Sequence, residues 1–69
     1  MVGNMADREH IQQIFIRIAR DSKFKMDAIE VAKMTASLAE VHPLEVMGSF
    51  GFANMIAVAN GTHPVVKGK

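Results

Sequence analysis

Residues 43–60, PLEVMGSFGFANMIAVAN, decide the fold of this 69-residue chain. Between Glu45 and Lys67 no charged residue occurs. Drawn as one helix, the stretch has apolar side chains on three lines: Leu44, Met47, Met55 and Val58; Val46, Phe50, Ala53 and Ala57; Phe52, Ile56 and Ala59. A helix that is apolar nearly all round is enclosed on nearly all sides. A chain this short has few other elements to enclose it, so the pattern predicts company, most simply a second copy.

The upstream sequence supplies two further helices. Ile11, Ile14, Phe15 and Ile18 follow helical spacing and make one apolar face, with Gln12, Gln13, Arg17, Arg20 and Asp21 largely on the other. Asn4 or Asp7 is placed to cap this helix. Ile16 lies near its polar side, as a lone exposed isoleucine or an interface contact. Phe24 can pack back over the junction that follows. From Asp27, well suited to a helix start, a polar line of Glu30, Lys33, Ser37 and Glu40 is flanked by two apolar lines. Val31, Met34, Leu38 and Val41 form the bulky one; Ile29, Ala32, Ala36 and Ala39 form the small one. Pro43 ends that helix and suits the first position of the next. Asn60-Gly61 is a stop signal, and Thr62 to Lys69 reads as an extended tail.

The expectation is an all-α single domain over 1–69, a bundle of about three helices at 6–22, 26–41 and 43–60, completed by homo-oligomerisation. Residues 1–4 and 62–69 are expected to be flexible. A chain of this size buries only about 60% of its unfolded surface and needs reinforcement. It has no cysteine, so disulfides are excluded and assembly remains. The missing cysteines fit a reducing cytoplasm. The N-terminus lacks the basic-then-apolar order of a signal peptide. Polar residues at 54, 60, 62 and 63 and Pro64 argue against a membrane span in the uncharged run.

No motif names a reaction. His10, His42 and His63 are the conventional suspects for chemistry, but no H-x-x-x-H pair occurs and Pro43 interrupts the spacing of His42 and Glu45. His42 is better read as a turn or capping residue. Ser22, Ser37 and Ser49 lack nucleophile contexts, and Gly48, Gly51 and Gly61 do not form a phosphate loop. Gly48 and Gly51 are read as packing glycines that admit a neighbouring helix. The chain is therefore expected to be no enzyme, with no cofactor, catalytic residue or metal ligand.

Two binding readings remain. The first is a non-enzymatic protein-binding module, such as an adaptor, inhibitor or assembly factor, that presents an apolar helix surface to itself and to another protein. Ile16, Phe50, Phe52, Met55 and Ile56 are its expected contacts, and methionine suits adaptable surfaces as well as cores. The second uses Arg17, Arg20, Lys23 and Lys25 to hold phosphates, either as a dimeric DNA-binding regulator or as an oligomer with an anionic ligand such as a nucleotide at a subunit interface. Net charge is only +1, and no Lys or Arg stands between Lys33 and Lys67, which favours protein over DNA. The third helix also offers only Asn54 and Asn60 for reading bases.

Overall fold

The structure, a computed structural model, describes residues 5–67. Residues 1–4 and 68–69, including Asn4 and the expected loose ends, lie outside them. The described chain is all-helical: α1 (Met5–Asp21), α2 (Ala28–Ala39), α3 (Pro43–Phe50), α4 (Phe52–Ala59) and a single turn, α5 (Pro64–Lys67). Among the described residues no helix is long and apolar enough to cross a membrane.

The first two helices follow their sequence patterns. Ile11, Phe15 and Ile18 bury the expected face of α1, and Ala19 joins them. Asp27 begins α2 by accepting a hydrogen bond at Oδ2 from the Ile29 N–H (3.1 Å). Its polar line is exposed throughout, while Ala28, Val31, Ala32, Thr35 and Ala36 turn inward. Thr35 is fully buried; its hydroxyl donates to the Val31 carbonyl (2.8 Å), so no polar group is stranded there.

The apolar stretch is not one helix, which corrects the three-helix expectation. Gly51 sits at φ +87°, ψ 144°, a conformation that side chains exclude. Its N–H bonds the Met47 carbonyl (2.8 Å) and its carbonyl accepts from the Met55 N–H (2.9 Å). One residue thus ends α3 and starts α4. The break lets Val46 on one side and Met55, Val58 and Ala59 on the other face a common core. Unbroken, the 18 residues would form a rod of about 27 Å, longer than the two shorter dimensions of the molecule, 21 and 19 Å. Folding the stretch back on its own chain buries Val46, Met55, Val58 and Ala59 and leaves Leu44, Phe52 and Ile56 exposed.

The paired reading of Gly48 and Gly51 as packing residues is also corrected. A Cβ at Gly48 would meet nothing within 4 Å, and one at Gly51 would meet only Asn54 Nδ2 at 4.0 Å. Gly51 serves its backbone angles, and Gly48 lies open.

Three helices stop in the same way. The N–H groups of Phe24, Val41 and Thr62 bond back to the carbonyls of Ala19, Ala36 and Ala57 (2.9–3.0 Å). Lys23, Glu40 and Gly61, each just before, take left-handed angles with φ of 60°, 60° and 83°. This is the Schellman closure, which satisfies carbonyls left over at a helix end. Only at position 61 does glycine mark it.

Two starts also match. The Leu44 N–H donates to Nδ1 of His42, and the Val65 N–H donates to Nδ1 of His63, both at 3.1 Å, with proline opening each helix. His42 is therefore the capping residue the sequence suggested. At His63-Pro64 the same device corrects the extended-tail reading: 64–67 is a helical turn whose Val66 packs on the core.

Candidate functional site

α4 has two faces. Met55, Val58 and Ala59 face inward, while Phe52, Ile56 and Asn60, four residues apart, make a line on the outside. Phe52 remains 60% exposed and Ile56 39% exposed. Opposite them stands the α1–α2 turn and the start of α2, with Phe24, Met26 and Ile29. Together these elements enclose a groove of about 520 Å³, which Lys25, Asp27 and Asn60 also line.

The turn that supplies Phe24 is held by the α1 closure, where both Lys23 and Phe24 take left-handed angles. The Phe24 ring lies against Gly61: a Cβ built at that glycine would come within 3.0 Å of Phe24 Cγ. Only a residue without a side chain admits the ring so closely, so the α1–α2 turn and the end of α4 are packed onto each other beside the groove.

The expected partner-facing residues divide. Phe52 and Ile56 line the groove. Met55 does not: it is fully buried among Ile11, Phe15, Val31 and their neighbours, a correction to its reading as a surface contact. It points inward because the break at Gly51 turns the α4 face carrying Met55, Val58 and Ala59 toward α1 and α2. Phe50 is half-buried and meets Phe15 at a ring-centroid distance of 5.0 Å, tilted by 58°, so much of its surface is used inside the chain. Ile16 is half-buried against the core and borders a separate cleft. Phe24, Met26 and Ile29 were not among the expected contacts. Phe24 had a signal, an aromatic residue in a charged turn, but only the fold brings the start of α2 beside α4.

In the clefts lined by described residues, the four cations of the 17–25 segment are not gathered together. Arg17 and Arg20, with Gln13, Ile16 and Val65, line a cleft of about 310 Å³ between α1 and α5. A smaller one of about 230 Å³ along α1 is lined by His10, Gln13, Ile14 and Arg17. Lys25 lines the large groove instead, and Lys23 lines none of the three.

The remaining polar groups are largely engaged in structure. Ser22 Oγ donates to the Ala19 carbonyl and Ser49 Oγ to the Val46 carbonyl (2.9 and 2.8 Å). Gln12 Nε2 donates to the Ser49 carbonyl (2.6 Å), tying α1 to α3. Among the described residues, no three His, Asp or Glu side chains gather as a metal site. No protein-family model, curated protein or solved structure matches the chain.

Proposed function

We propose that this chain is a small non-enzymatic protein-binding module, an adaptor, inhibitor or assembly factor, that works as a homodimer or higher oligomer. Its binding surface is the groove between α4 and the start of α2. The observation that supports this reading is the exposure of Phe52 and Ile56 beside an open groove of mixed apolar and polar lining, on a helix whose other face already fills the core. Such a groove suits the apolar face of an amphipathic helix, which inserts side chains at helical spacing. Aromatic side chains that fill pockets dominate binding energy at interfaces of this kind.

A display library of amphipathic helical peptides tests it. Peptides enriched on the wild-type chain should be retained by Leu44→Asp and lost by Phe52→Asp. Leu44 is a fair control, since it is 66% exposed yet lines none of the three clefts. Enrichment that ignores the Phe52 substitution refutes the reading.

The second reading, an anionic ligand on the basic segment, is favoured by Arg17 and Arg20 facing one cleft with Gln13. Two guanidinium groups and an amide suit a carboxylate or phosphate. Only Arg17 and Arg20 share that cleft, while Lys25 lines the large groove and Lys23 neither, which favours a small anion at the arginine pair over a nucleic-acid backbone along all four.

A further inference from the structure

We infer that the cleft between α1 and α5 is a site for a small phosphate monoester, whose terminal oxygens accept hydrogen bonds from Arg17, Arg20 and Gln13. The inference rests on that cleft being an anion site and names the class of anion. Arg17 and Arg20 stand three residues apart on one face of α1, and like charges so placed weaken a helix until an anion relieves them. The helix dipole accounts for a cation in the last turn, where Arg20 stands, but Arg17 lies a turn earlier. Asp21 does not line the cleft. Among the described residues, the hydrogen bonds made by side chains use neither guanidinium nor the Gln13 amide.

The donors separate phosphate from carboxylate. One guanidinium fork saturates the two oxygens of a carboxylate, which leaves the second arginine without a counter-charge. A phosphate monoester carries three acceptor oxygens and close to two negative charges at neutral pH, which match two forks and one amide N–H. A phosphodiester has two free oxygens and a single charge, so it fits less well. The walls provide for the ester group. Ile16 lies on one side and Val65 on the other, brought there by α5, whose Val66 packs on the core. The smaller cleft shares Gln13 and Arg17 and adds Ile14 and His10, giving the ester group a path along α1. At about 310 and 230 Å³ the two clefts suit a small organic molecule.

Isotope-edited NMR on the full chain tests this, with phenyl phosphate as the probe and benzoate as its carboxylate counterpart. Phenyl phosphate should shift the backbone amide signals of residues 13–20 and Val65, and should bind about tenfold or more tightly than benzoate. Arg17→Gln and Arg20→Gln should each weaken it about tenfold. Arg17→Lys keeps the charge but loses the fork, so it should restore only part of the affinity. Lys23→Gln, outside the cleft, should leave binding unchanged. Equal, arginine-dependent binding of the two probes, or full affinity in Arg17→Lys, overturns the monoester assignment and leaves the anion site standing. No binding, or shifts that depend on Lys23 and not on the arginines, overturns both.

Discussion

Gly48 and Gly51 stand three residues apart, and alanine at the two positions should change stability in opposite directions. Gly48 lies within α3, exposed, with open space where a Cβ would go. Alanine there gains about 1 kcal/mol of helix propensity. Gly51 holds φ +87° and ψ 144° between two helices. Residues with side chains forced into such angles cost about 1–3 kcal/mol. A chain of this size draws about 3–5 kcal/mol from its core, so Gly51→Ala removes a large share of the total. In a domain this small each kcal/mol moves Tm by about 4–8 °C. Gly48→Ala should therefore melt about 4–8 °C higher and Gly51→Ala roughly 10 °C lower than the wild type, followed by far-ultraviolet circular dichroism. If both variants melt higher and gain helix, residues 43–60 form one continuous helix and the break at Gly51 is refuted.

Met55→Ala should cost about 2–5 kcal/mol, since Met55 is fully enclosed; urea denaturation that shows no loss would return Met55 to the surface. Glu40→Gly should add about 1 kcal/mol, because a left-handed residue with a side chain costs about 1–2 kcal/mol and glycine recovers part of it. Glu40 is exposed and its carboxylate closes nothing in α2, so a thermal melt that shifts downward would contradict the closure at Ala36.

Much of the architecture is legible because it depends on local rules. The Ile11, Phe15 and Ile18 face, the Asp27 start, the His42-Pro43 boundary and the Gly61 stop each follow from spacing or backbone preference within a few residues. The break at Gly51 does not. MGSF and FGFA give no local reason for one glycine to stay helical and the other to leave, and a single-axis helical projection cannot register a change of direction. The deciding demand is tertiary: Val46 and Met55 must reach the same core. The left-handed angles at Lys23 and Glu40 were hidden because neither is glycine. At His63-Pro64 the local pattern reads as a helix breaker, although proline opens α5 there as Pro43 opens α3. For the groove, one wall was visible as the Phe52–Ile56 line, and the other required knowing that the start of α2 lies beside α4.

The contact between Phe24 and Gly61 ties the far end of α4 to the α1–α2 turn. α4 therefore leaves Gly51 at one end and stops at the other on the residue against which the Phe24 ring rests. A methyl group at position 61 would fall 3.0 Å from that ring, so the ring would have to shift, and with it one wall of the groove. The shape of the groove thus depends on a residue that lines none of it.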